Sequence, residues 1–279
     1  MFSIYTIEEI KRFFQSNQYK EYPFEYTFKQ NKEHLGGVKN WNEPLELASG
    51  KYIAVLEGDD QYLPTHLEEA HRILTNYNKI GIYAVGNQHI MRPITGLINP
   101  EAYFKYTYRM KNVSPPSETI FIRRYDNKQY FYNDEDYLYA PEVALYLEIS
   151  SDGLKAYHSD KQTIVRSESP KKIRYSGEPL HDRIKVINQY KNHRYISKGE
   201  YLEVVKSNTN RSLMSYVSVR MRNVGRPNDI YRGLKDLLRD ASHFKYYELC
   251  ALKIISDILI KCKLNNILIR AYHLCKGLK

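Results

Sequence analysis

Cysteine is scarce in this chain: three residues in 279, Cys250, Cys262 and Cys275, with no C-x-x-C pair. That excludes a sequence-evident zinc site or disulfide framework and fits a reducing compartment. No apolar run reaches the ~18 residues needed to span a membrane, and residues 1–20 are polar and amphipathic, unlike a secretory leader. A net charge of +10 keeps a basic nucleic-acid-binding protein as a rival reading. However, the chain has no helix-turn-helix pattern, no aromatic strand of the RNA-recognition type and no zinc finger, so no nucleic-acid partner is expected. The last hundred residues add no second catalytic signature. What remains is an ordinary globular composition, 42% hydrophobic with 27 tyrosines, long enough to bury a sizeable core as one large domain or a domain with an appendage.

The most informative stretch is Lys51 to Pro64, KYIAVLEGDDQYLP. Tyr52 to Leu56 is an apolar run of buried-strand type, and Glu57, Asp59 and Asp60 cluster where it ends, with Gly58 placed to let the backbone turn. In open α/β sheets, ligands sit in the crevice beyond the carboxyl ends of the strands. Packed carboxylates repel one another, and a hard cation such as Mg²⁺ or Mn²⁺, which takes one or two carboxylates plus phosphate oxygens, neutralises them. The alternative is an acidic turn that merely caps the next helix.

Upstream of this run stand Gln30-Asn31, Gly36-Gly37-Val38-Lys39-Asn40-Trp41-Asn42 and Leu45-Glu46-Leu47-Ala48-Ser49-Gly50. Downstream, Thr65-His66-Leu67-Glu68 reads as a capping box opening a helix with Leu67, Ala70, Ile73 and Leu74 on one face. Residues 28 to 77 together resemble the central part of family 2 glycosyltransferases of the GT-A fold, with Glu57-Gly58-Asp59 standing as the D-x-D-type motif. The resemblance implies a metal-dependent, inverting transfer of sugar from a UDP- or GDP-type donor to a glycan or lipid-linked acceptor, in surface polysaccharide or glycoconjugate synthesis. It implies Mn²⁺ or Mg²⁺ as cofactor, with Asp59 as first metal ligand and Glu57 and Asp60 supporting. Gly36 and Lys39 fall where the family places residues near the nucleotide, although Lys39 also reads as a solvated helix lysine. Relative to the family pattern, the strands ending in Pro-x-Tyr-Asn and Asp-Asp-Gly-Ser are missing before the first helix, so the chain reads as N-terminally shortened. A catalytically inactive remnant serving as a scaffold or partner subunit is the alternative this leaves open.

Other elements follow from pattern. Thr6-Ile7-Glu8-Glu9 reads as a capping box for a first helix, Phe24 to Phe28 alternates like a strand, and Ile80 to Val85 and Thr119 to Arg124 read as strands. Residues 86 to 116 read as an irregular, function-bearing loop. Pro141 opens and Asp152-Gly153 closes a helix, and the resemblance places the general base at its start. Glu142 is favoured there, with Asp136 or Glu135 as alternatives, and its other reading is complementing the helix dipole. Leu154 to His158 and Gln162 to Arg166 read as a β-pair, with Arg166 available to diphosphate charge and Glu168 standing where relatives carry a histidine. The expected architecture is a GT-A-like (Rossmann-like) mixed sheet flanked by helices over residues 1–178, followed by a helical, basic extension over 179–279. Residues 261–279 read as a basic amphipathic interface, giving a cytoplasmic protein peripheral at the inner membrane face.

Overall fold

The structure, a computed structural model, describes residues 4–16, 20, 25–58, 60–87, 94–109, 115–132, 141–166, 178–222, 227–241 and 243–261. Its centre is a curled mixed sheet flanked by helices, a GT-A-like arrangement. The sheet holds β1 (Tyr52–Ala54), β2 (Asp60–Tyr62), β3 (Ile80–Asn87), β4 (Gly96–Ile98), β5 (Thr119–Ile122) and β8 (Lys155–Arg166), and a two-residue pair, β6 (Arg124–Tyr125) and β7 (Lys128–Gln129), stands apart. Strand order is β1-β5-β3-β8-β2, with β4 added on β8. Among the described strands, β3 and β8 are the pair that runs parallel.

The helices are α1 (Ile4–Phe14), α2 (Gly37–Leu47), α3 (His66–Asn76), α4 (Pro100–Tyr108), α5 (Pro141–Ser151), α6 (Glu178–Tyr190), α7 (Lys198–Arg222), α8 (Pro227–Ala241) and α9 (His243–Lys261). On one face of the sheet Ala70, Ile73 and Leu74 of α3 pack with Ile80, Tyr83, Val85, Ile120 and Ile164. On the other, Leu145, Tyr146 and Ile149 of α5 pack with Ile53, Ile82, Phe121 and Ala156. The remaining side of α5, Val143, Ala144 and Leu147, joins α4 and the C-terminal helices in a further cluster that includes Ile184, Val204, Leu234 and Leu249. A helix covered on both sides has no need of a polar face, which accounts for the nearly unbroken apolar run within α5. Contact with the sheet is close at Gly81, where an added Cβ would lie 2.4 Å from Ile149 Cγ2 and 2.8 Å from Leu154 Cβ. Gly153, at φ +83°, ends α5 in the left-handed region that glycine enters without steric cost.

Several local expectations are corrected. Thr6 lies inside α1, which has already begun at Ile4, and Thr65 adopts αR geometry without a side-chain cap bond, so neither capping box forms. Leu67 is exposed, and His66 and Glu69 take the buried positions on α3. Residues 25–31 are not a strand; Tyr26 and Phe28 are exposed, and Tyr26 stacks on Phe14. The apolar run from Tyr52 pairs only as far as Ala54 and leaves Leu56 exposed. The stretch read as a β-pair is a single strand, β8, whose irregular register against β3 absorbs its polar middle. The presumed loop of 86–116 contains β4 and α4, the latter capped by Asn99, whose side chain accepts from Ala102 N at 2.8 Å. Among the described residues, no helix is long and apolar enough to cross a membrane.

Candidate active site

The acidic turn is built by two short strands that find different partners. β1 pairs antiparallel with β5, Ile53 opposite Phe121, and β2 pairs antiparallel with the end of β8, Asp60 opposite Arg166. Between them the chain reverses, closed by Asp60 N donating to Glu57 O at 3.0 Å. The Glu57 and Asp60 carboxylates converge on one buried hydroxyl. Ser117, in the short 3₁₀ turn Pro116–Glu118 just before β5, donates to Glu57 Oε2 at 3.1 Å and also contacts Asp60 Oδ2. A hydroxyl carries one hydrogen, so it cannot donate fully to both anions at once.

Glu142 occupies the first turn of α5. Its side chain is partly exposed overall, yet the carboxylate oxygen Oε2 is buried without a hydrogen-bond partner. Its pKa is pushed up from 4.5 to about 8, first by burial and then by the nearby charges of Asp182 and Glu57, with a backbone hydrogen bond working in the opposite direction. Burial likewise holds the Tyr132 hydroxyl well above its ordinary value, with Glu142, Glu57 and Tyr62 adding to the effect. Tyr132 thus lies in the fields of both Glu142 and Glu57, and its own hydroxyl is also buried without a partner. Its backbone is fixed by Asn42 of α2, which donates from Nδ2 to Tyr132 O at 2.7 Å and accepts from Tyr132 N at 3.0 Å.

Of the residues singled out from sequence, the structure brings Glu57, Asp60 and Glu142 into one electrostatic neighbourhood and sets the Arg166 backbone beside Asp60. Gly36, at φ +83°, precedes α2, and Lys39 is exposed on that helix. Asp59, Asp136 and Glu135 lie outside the described residues, as do Glu168 and residues 262–279. Three contributors went unread in the sequence: Ser117, Tyr132 and Asp182. Asp182 is fully buried, and it shares the inward face of α6 with Val186 one turn on. An acid on the apolar face of a helix was the available signal.

Among the described residues, no group of three or more His, Cys, Asp or Glu side chains gathers to hold a metal. What is gathered there, two carboxylates and a hydroxyl, is a hard oxygen set of the kind that holds Mg²⁺ or Mn²⁺ together with phosphate oxygens. Compared with known proteins, residues 5–125 match the family model described as Glycosyl transferase family 2. No curated protein matches the chain.

Proposed function

From the match of residues 5–125 to glycosyl transferase family 2, a glycosyltransferase family, we infer that the chain moves a sugar from a nucleoside-diphosphate donor, UDP- or GDP-type, to a glycan or lipid-linked acceptor with inversion. The reading is carried by Glu142, whose carboxylate oxygen Oε2 is buried without a hydrogen-bond partner in the field of Glu57. Glu57 and Asp60, with Asp59 between them in the sequence, would hold Mn²⁺ or Mg²⁺, which would supply positive charge to the departing diphosphate. Ser117 keeps the two described carboxylates together, and Arg166 enters beside them from β8.

At the other end of the site, Glu142 Oε2 takes the proton of the acceptor hydroxyl. The acceptor oxygen forms its bond to the anomeric carbon as the bond from that carbon to the diphosphate oxygen breaks, and the electron pair leaves with the diphosphate. With a pKa near 8, Glu142 is largely protonated at neutral pH in the free protein. Neutralising Glu57 at the turn removes one of the like charges that keep it so, which couples donor binding to readiness of the base. The test is transfer from a panel of UDP- and GDP-sugars to polysaccharide-repeat or lipid-linked acceptors with Mn²⁺, reading the anomeric configuration of the product. Retention of configuration would refute the role given to Glu142.

The acceptor's location belongs to the same reading. Ile254, Ile255 and Ile258, together with Tyr247, stand exposed on α9. Lys261 follows, then Lys263, Arg270, Lys276 and Lys279, with no acidic residue after Asp257. An apolar helix face continued by basic sequence suits an anionic leaflet, each basic residue near the surface being worth about 1 kcal/mol. The protein is therefore expected to sediment with anionic vesicles at low salt and to be released at high salt. Binding that survives both Ile254→Glu/Ile258→Glu and deletion of residues 261–279 would end this assignment.

A further inference from the structure

The acidic turn is held from outside itself. Tyr62 follows Asp60 by two residues, and its hydroxyl donates to Val55 O at 2.8 Å, two residues before Glu57. This bond straps the two limbs of the turn together at its base. The Tyr62 ring is in turn seated on His66, centroids 4.1 Å apart and planes 24° from parallel. His66 is fully buried, and its Nδ1 lies 2.8 Å from Thr163 Oγ1 on β8, while Leu63 N donates to Thr163 O at 2.9 Å. Burial pulls the His66 pKa down to about 4, so the ring under Tyr62 is neutral at working pH. On the opposite side, Ser117 binds the carboxylates rather than the backbone.

We propose that Tyr62 and Ser117 are positioning residues: one straps the backbone of the acidic turn, the other draws its carboxylates together, and the binding geometry exists before any ligand arrives. The proposal rests on the cation-binding reading of the turn, but its first consequence is a property of the empty protein. Two like-charged groups on a short reversal would spread apart if nothing outside held them, since their repulsion is relieved by separation. Here a sheet-anchored aromatic column fixes the base of the turn, and a buried hydroxyl from a separate segment fixes its tip. Such preorganisation removes the ordering cost that a flexible site incurs at the moment of binding.

The test uses the full chain, with Tyr62→Phe, which keeps the stack on His66 and loses only the strap, and Ser117→Ala. Two quantities are read: hydrogen exchange at the Asp60 amide, which closes the turn on Glu57 O, and the affinity for Mn²⁺ alone by titration calorimetry. Exchange at Asp60 should speed up about 5- to 10-fold in each variant, and Mn²⁺ affinity should fall about 10-fold or more, the usual consequence of losing a residue that orients a ligand. The thermal midpoint of Tyr62→Phe should hardly move, which a merely structural hydrogen bond in the core would not allow. Unchanged exchange in Tyr62→Phe overturns the proposal whether or not Ser117→Ala folds. Faster exchange with unchanged Mn²⁺ affinity overturns the positioning role. If the unaltered protein takes up no Mn²⁺ while exchange responds as expected, the brace stands and the cation reading falls.

Discussion

Glu142→Gln should gain stability relative to the parent as pH rises and be far less active at the same time. The amide keeps the shape of the side chain but cannot ionise. In the native protein the Glu142 pKa is pushed up from 4.5 to about 8, mainly by burial. A carboxyl group whose folded pKa is raised contributes its full stability below the unfolded value and loses it as pH climbs through the folded one. Between about pH 5 and pH 8 the native state therefore holds a proton that the unfolded chain has released. Each pKa unit is worth ~1.4 kcal/mol. Stability of the unaltered protein should fall by about 1.4 kcal/mol per pH unit from this group alone, reaching about 3 kcal/mol at pH 7. The buried glutamine adds a cost of its own, about 1–3 kcal/mol if its amide finds no partner, but that cost is the same at every pH. The decisive quantity is therefore the difference in unfolding free energy between variant and parent, measured by denaturant titration with a chelator present at pH 5, 6, 7 and 8. That difference should climb by about 1.4 kcal/mol per unit and level off above pH 8. A difference that stays flat from pH 5 to pH 8 would show that Glu142 titrates as an ordinary surface acid, and the base assignment would lose its physical ground. In the same variant, turnover should drop by about 10²- to 10⁴-fold with donor binding retained, the usual range for a lost general base.

Asp59→Ala should abolish metal-dependent donor binding, because a site with few carboxylates loses one, and calorimetry with a nucleoside diphosphate plus and minus Mn²⁺ would read it. Asp182→Asn removes a like charge that raises the Glu142 pKa, so the acid limb of the pH–rate profile should move to lower pH; an unmoved limb would detach Asp182 from the site. Gly81→Ala drives a methyl group into Ile149 and Leu154 and should cost about 1–3 kcal/mol of stability, read by denaturant midpoint, without changing donor affinity in the folded protein.

Much of the site's frame was legible because its signals are local. The acidic residues after Tyr52–Ala54, Pro141 at the start of α5 and Gly153 beyond its end are each read within a few residues, and all three structural features are present. Features decided by distant partners were not legible. His66 and Glu69 displace Leu67 from the buried face of α3 because the chain returns 90 or more residues later with polar groups for both. Thr163 meets His66, Ser159 donates to Glu69 Oε1 at 2.9 Å, and Lys161 pairs with the same carboxylate. Burying such groups is tolerated only when they are partnered, and sequence spacing does not show the partner. The same return explains β8. Ser159-Asp160-Lys161 has the composition of a turn, but Ser159 Oγ accepts from Lys161 N and the strand runs on, its irregularity matched by register shifts in β3. Asn99-Pro100, by contrast, was a local signal that went unread: a side-chain cap followed by proline at the first helical position is a helix start.

The C-terminal helices bear on the candidate chemistry more directly than their composition suggested. The stretch matched to the family ends at residue 125, before Tyr132 and Glu142, so the candidate base itself lies in the remaining part of the chain. Helix α5 presents Leu145, Tyr146 and Ile149 to the sheet and Val143, Ala144 and Leu147 to the cluster formed with α6 to α9. Glu142 begins that helix and feels one carboxylate from each side, Glu57 from the acidic turn and Asp182 from α6. Burial is the main cause of its raised pKa, and these two carboxylates, which lie far apart in sequence, add to it. Releasing either charge removes a part of the shift that adds to burial, and of the two only Glu57 belongs to the turn proposed to hold the cation. In the proposed reading, burial and Asp182 favour the protonated form of Glu142, and a cation held at the turn would offset the smaller contribution of Glu57.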